Sequence, residues 1–258
     1  MHPARAPDRL APNKAPGQTA RPGGLENGEA YVVRRISRRP AARAAEVRDT
    51  PPAEAIEAAA FDLFARQGFQ VTTVRDVMRA CGLTQGALYN HFSSKEELLA
   101  TIIRSTQAAL ERELAAALSG AGDDPASQLH AVVRAYTLRH TRKRVEAVVA
   151  NREWEWLDAP RRQEIRASRR RVREMVVRIL ERGHAAGAFP ALRRDGRDDV
   201  KIIAMAILNQ CTDVAYWFNT AHDGWRAEDV ADLHADLALR TVGAPAKLAK
   251  SRNAMAAA

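Results

Sequence analysis

Cysteine is scarce: Cys81 and Cys211 are the only two in 258 residues. Two isolated thiols offer neither a disulfide framework nor a zinc-ligand spacing, so reduced thiols in a cytoplasmic protein are expected. No apolar run reaches the roughly 18 residues of a membrane-spanning helix, so no membrane partner is expected. The N-terminus lacks a hydrophobic h-region and is not read as a secretory signal. Aromatics make up 5% of the chain, and no stretch alternates apolar and polar residues as a half-buried strand does. The seven histidines form no HExxH motif and no metal-ligand cluster, and no nucleophile elbow occurs. Enzyme, metal and cofactor readings are therefore set aside. There is no internal repeat.

What the chain does have is helix formers and positive charge. Alanine, arginine, leucine and glutamate dominate, so the fold class expected is all-α. The length allows one or two domains with a real core. A formal charge of +9 and a pI near 10.1 suit a polyanionic partner, whether DNA, RNA or an anionic membrane surface. Residues 1–48 are rich in Pro, Gly, Ala and Arg and poor in large apolar groups, which reads as a disordered tail. Its basic cluster, Arg34, Arg35, Arg38, Arg39 and Arg43, is either a solvated tail or an arm that follows DNA phosphates.

The run from Phe61 to Leu99 is the most informative. Ile56, Ala60, Phe61, Phe64 and Ala65 recur at helical spacing, giving an amphipathic helix over about 52–67 that Gly68 stops. Thr73 and Asp76 have the spacing of a capping box for a second helix with Val74, Val77 and Met78 inward, and Gly82 ends it. Thr84 is then expected to cap a third helix carrying Gln85, Gly86, Ala87, Leu88, Tyr89 and Asn90. Ser94 and Glu97 form a second capping box opening a long helix, with Phe92 as a core anchor. This is a helix-turn-helix, whose second helix enters the major groove of double-stranded DNA. Gln85 suits adenine, and Gly86 lets the backbone approach closely. Thr73, Thr84, Tyr89 and Lys95 suit phosphates or the first turn, and Asn90 and His91 bases or backbone.

The strings AAAFDLFARQGF, TTVRDVMRACGL, TQGALYNHF and SSKEELL together resemble the N-terminal domain of the TetR family of bacterial transcriptional regulators over roughly 45 residues. Met78 and Cys81 stand where that family usually has small alanines. Gln85 stands where a basic residue is common, so the operator sequence cannot be carried over. The resemblance implies a helix-turn-helix domain (49–95), a six-helix ligand-binding and dimerisation domain (96–243) and a frayed tail (244–258). It also implies a homodimer on a near-palindromic operator and a small-molecule effector.

Beyond the motif, helices are expected over about 95–118, 126–140, 145–157, 160–186, 199–218 (capped by Asp198 or Asp199) and 227–242. The resemblance assigns dimerisation to the last two. Ile203, Ile207, Cys211, Val214 and Phe218, with Val200, line one face of the first; Val230, Leu233 and Leu237 stripe the second. The alternative is a monomer core. On a helical wheel of residues 161–182, Arg162, Arg166, Arg169, Arg170 and Arg173 fall together beside an apolar face, away from Glu164, Glu174 and Glu181. Such a stripe is either a solvated surface or a site for a ligand with an apolar end and a phosphorylated end, such as an acyl-coenzyme A thioester. Asn151, Trp154, Asn209 and Trp217 are further ligand candidates. The stretch from Asn209 to Gly243 is similar to the C-terminal end of TetR-like regulators of fatty-acid or steroid breakdown, several of which bind acyl-coenzyme A. An unrelated hydrophobic effector and a constitutive nucleoid-type DNA binder stay open as alternatives.

Overall fold

The computed structural model describes residues 51–192, 199–218 and 224–244. The basic arm 1–48, Asp198 and the tail beyond Ala244 lie outside them. Among the described residues there are helices and no strand, as the composition requires.

Helix α1 (Pro52–Gln67) starts with proline at its first position, where a missing N–H costs nothing. It buries Ile56, Ala60, Phe64 and Ala65 and stops at Gly68, whose φ of 85° favours glycine. Helix α2 (Val74–Cys81) opens with the expected capping box: Asp76 N–H donates to Thr73 Oγ1 at 3.2 Å, and Thr73 N–H donates to Asp76 Oδ2 at 3.1 Å. Gly82 closes it in the left-handed conformation.

The third element differs from expectation. Residues Gln85–Asn90 form a 3-10 turn, not an α-helix, and the Thr84 side chain makes no cap bond. Six residues that include a glycine gain too little from α-helical bonds to hold that form alone. Ser94 does cap α3 (Lys95–Gly120), with Glu97 N–H donating to its Oγ at 3.1 Å. The second arm of that box is replaced: the Glu97 carboxylate accepts from Arg104 Nη2 at 2.5 Å and Arg161 Nη2 at 2.6 Å. Two guanidinium partners outcompete one backbone N–H.

Then follow α4 (Pro125–Arg142), α5 (Arg144–Arg152), a 3-10 turn at Glu153–Trp156, and α6 (Ala159–Ala185). A further 3-10 turn (Pro190–Leu192) precedes α7 (Asp199–Trp217) and α8 (Ala227–Thr241). Helix α4 is central and packs on α3, α6, α7 and α8.

Two cores result. The first joins α1, α2, Leu88 and Phe92 to the start of α3, and also takes in Val149, Ala150, Leu157 and Ile165. The second gathers α4, the later part of α6, α7 and α8 around Phe189. A polar tie joins the reading unit to the rest: Phe69 N–H donates to the buried Glu153 carboxylate at 3.2 Å.

The face read as a dimer surface needs correction. Ile207, Cys211, Val214, Phe218 and Val230 are buried inside the single chain. Ile203 and Leu237 are half-buried, and only Leu233 of that set is exposed. Helix α7 is apolar on two sides, and α4 and α8 take the side with the deeper stripe. The side left open carries Ile202, Met205 and Trp217, beside Leu233 of α8 and Trp225.

Candidate functional site

Seven of the residues assigned to DNA lie in the open on the α2 and 3-10 unit: Thr73, Thr84, Gln85, Gly86, Tyr89, Asn90 and His91. Leu88, fully buried, pins the turn from below, and Tyr89 beside it is 60% exposed. A short segment held by one leucine thus presents polar groups to solvent on consecutive positions. Lys95, the eighth, is placed differently. Its Nζ donates to the carbonyls of Phe69 and Thr72, each at 2.9 Å, and sits 4.1 Å from the centre of the Phe69 ring. Burial lowers its pKa from the ordinary lysine value. The lysine holds the α1–α2 loop in shape, and only its third N–H is left for a phosphate.

Farther along α3 lies a cavity of about 280 Å³ between α3, α4, α5, α6 and α7. Of the residues proposed for a ligand, it brings together Asn151, Arg169, Arg173 and Asn209. It does not include Arg162, Arg166, Arg170, Trp154 or Trp217. Trp154 stands behind the wall, with Arg169 4.5 Å and Arg166 5.6 Å from its ring centre. Arg170 contradicts the expectation of a stripe free of acids on its own helix, because its Nε lies 3.7 Å from Glu174 Oε1. Residues four apart are neighbours on a helix surface, about 40° apart on the wheel, so Glu174 lies within reach of Arg170 on the same flank. Trp217 packs edge-on against Phe218 and Trp225, on the open side of α7.

The sequence reading missed Gln107, Tyr136, Arg139, His140 and Thr212 in the cavity wall. The signal was there. Gln107 is a polar residue on the buried side of α3, and Tyr136 and His140 are polar neighbours one turn apart on the buried side of α4. Arg139 is neutralised by Glu113 at 2.6 Å and Glu146 at 3.4 Å. Tyr136 and Thr212 share a hydroxyl hydrogen bond of 3.0 Å, and burial pushes the Tyr136 phenol up to about 12.

His140 stacks on Tyr136 with ring centres 4.5 Å apart. Its Nδ1 donates to the Tyr136 carbonyl at 3.1 Å, since a carbonyl can only accept. Burial pushes this imidazole down to about 4, from 6.5, so it is neutral at pH 7. A histidine with a depressed folded-state pKa contributes its full stability above the unfolded value and loses it as pH falls toward the folded one. Stability should therefore be level above about pH 7 and fall between 6.5 and 4, by roughly 3 kcal/mol from this group. Chemical denaturation across that range checks it: His140→Phe, which keeps a ring against Tyr136, should lose much less over the same interval.

The chain matches known proteins along both units. The family described as bacterial regulatory proteins of the tetR family matches residues 56–102. The family described as a tetracyclin repressor-like C-terminal domain matches residues 122–242. The HTH-type transcriptional repressor KstR2 of Mycolicibacterium smegmatis is 31% identical over 128 residues, which are 49% of this chain and 62% of that protein. The chain thus aligns with less than two thirds of that relative. The solved structure of PfmR, a TetR family transcriptional regulator from Thermus thermophilus, is 31% identical with a TM-score of 0.63, over 72% of this chain and 97% of that one. AibR, solved in complex with isovaleryl coenzyme A and operator DNA, shares the fold with a TM-score of 0.62 at 22% identity, over 72% of this chain and 96% of that one. With an exposed helix-turn-helix at one end and a helical domain behind it, this chain belongs to the TetR family and is a DNA-binding transcriptional regulator.

Proposed function

We propose that the protein is a homodimeric repressor that leaves its operator when a small hydrophobic molecule fills the cavity. The observation that carries this reading is that one helix serves both ends. Helix α3 contributes Thr106, Gln107 and Leu110 to the cavity, and its first turn, with Ser94 and Lys95, holds the reading unit. A ligand that favours one tilt of α3 over another shifts the spacing of the two reading segments in a dimer. It shifts the balance only by its differential affinity for the two states.

Dimerisation is supported by the open side of α7 and α8. Ile202 is 68% exposed, and Trp217, Trp225 and Leu233 are each about half exposed, a cluster that a second copy would cover. Pairing sets two reading segments one or more DNA turns apart on a near-palindromic operator in the cytoplasm.

The finer reading of the effector is an acyl-coenzyme A thioester. AibR, which shares the fold, was solved with isovaleryl coenzyme A. Arg166 and Arg170, exposed on α6 outside the cavity, suit the phosphates of a ligand whose acyl part lies inside. An unrelated hydrophobic molecule is the alternative.

The reading side is tested by Tyr89→Phe. The ring is 60% exposed, so losing one hydroxyl should leave the melting temperature unchanged. Operator affinity should fall about three- to tenfold, the value of one phosphate hydrogen bond. Fluorescence anisotropy on the operator checks it, and unaltered affinity would remove Tyr89 from the contact set.

A further inference from the structure

Arg169 is a cation in the wall of a cavity without an acid to match it. No ion pair joins it to a carboxylate among the described residues; Glu155 acts on it only from beyond contact. Its Nη2 donates to the Ala150 carbonyl at 3.0 Å and to Asn151 Oδ1 at 3.4 Å, and its guanidinium stacks on Trp154. Burial lowers its pKa from the ordinary arginine value, so its charge is held at a cost. Arg173 Nη1 lies 3.9 Å from the Met205 sulfur.

Two amides in the wall are unfinished. Arginine can only donate, so its bond to Asn151 Oδ1 fixes which way that amide points. The other end, Asn151 Nδ2, is buried without a partner. Gln107, only 6% exposed, likewise has its Oε1 buried without a partner. A buried polar atom left unpaired costs about 1–3 kcal/mol, and an unpaired amide donor on Asn151 beside a guanidinium without a carboxylate points to a missing anionic guest.

The rest of the lining narrows the guest. Among the described residues no carboxylate lines the cavity, His140 is neutral at pH 7, and Arg139 is already paired. The uncompensated charge of the wall is therefore positive. Leu110, Val172 and Leu208 supply apolar surface. A volume of about 280 Å³ is about twice the ~150 Å³ hollow that takes one benzene, which is room for about a dozen non-hydrogen atoms. A whole coenzyme A does not fit inside.

We propose that the cavity binds a compact organic carboxylate, its two oxygens on the Arg169 guanidinium and the Asn151 amide and its apolar body against Leu110, Val172 and Leu208. This rests on the reading of the cavity as the effector site and names the chemistry that site selects. The carboxylate has two possible sources: a free acid, or the far end of a dicarboxylic half-thioester whose coenzyme A stays outside along Arg166 and Arg170.

The test is isothermal titration of the purified full-length protein with matched pairs. 4-Phenylbutyrate is compared with 4-phenylbutyramide, and glutaryl-coenzyme A with isovaleryl-coenzyme A. Within the pair from the true source, the carboxylate should bind at least about tenfold tighter, the value of a charge-assisted pair. A preference only in the first pair assigns a free acid, and one only in the second a half-thioester. Arg169→Met should erase the preference. The wild-type comparison stands even where that variant folds poorly. Neutral and anionic members binding equally would overturn the proposal and leave the effector cavity standing. Binding by none of the four probes would overturn both.

Discussion

Gly86→Leu is expected to leave the protein folded and to abolish sequence-specific DNA binding. Position 86 lies in the exposed 3-10 turn, its φ is outside the left-handed region, and an added Cβ would have nothing within 4 Å. Replacing glycine also lowers the conformational entropy of the unfolded chain where the native backbone suits the new residue, so the melting temperature should stay level or rise slightly. In the proposed complex with DNA, the same space is where the backbone would meet the groove floor. A leucine there holds the turn off the base edges, so every base contact is lost together. Specific binding exceeds non-specific binding by roughly 10³–10⁷, and most of that gap should close. A loss of two or more orders of magnitude in operator affinity, with unchanged affinity for random DNA, is the expected result by anisotropy at fixed salt. Retained operator affinity would place the reading surface elsewhere.

Gly183→Ala should go the other way, damaging stability first. On helix propensity alone the change stabilises by about 1 kcal/mol. Packing reverses the sign. Phe189 folds back after the Gly187 turn, its N–H donating to the Gly183 carbonyl at 3.2 Å, and its ring is fully buried against Gly183. A Cβ at 183 would stand 2.0 Å from a Phe189 ring carbon. That is far inside van der Waals contact, and the ring is a fully buried member of the second core. Overpacking at the upper end of its range costs about 3 kcal/mol or more, leaving a net loss of about 2 kcal/mol. For a chain of this size the melting temperature should drop by about 4–8 °C. Adding Phe189→Leu, which makes room, should recover part of the loss, and calorimetry of the two variants checks both steps.

Local chemistry was legible in the sequence. The Thr73 and Asp76 box, the Gly68 and Gly82 stops and the Ser94 cap depend on residues at most a few positions apart, and all are present. What was not legible depended on which neighbour arrives from far along the chain. The stripe from Ile207 to Phe218 is buried because α4 and α8 cover it, and a helical wheel cannot say which of two apolar faces meets its own chain. The arginines of α6 share one flank, yet Arg169 turns into the cavity while Arg170 meets Glu174. Lys95 looked like a phosphate contact because an exposed lysine beside a helix-turn-helix usually is one; the carbonyls of Phe69 and Thr72 were already waiting for it. The bond from Phe69 to Glu153 was not legible either, since the two lie 84 positions apart.

The exposed turn at Gln85–Asn90 is proposed to read a specific DNA site in pairs. Footprinting the wild-type protein over the DNA flanking its own gene tests it most directly. The expected result is one strong protected region over a near-palindrome, with two half-sites one helical turn or a multiple apart, which Gly86→Leu no longer protects. Uniform protection along the DNA, unaffected by that substitution, would contradict the account and favour a constitutive coating protein.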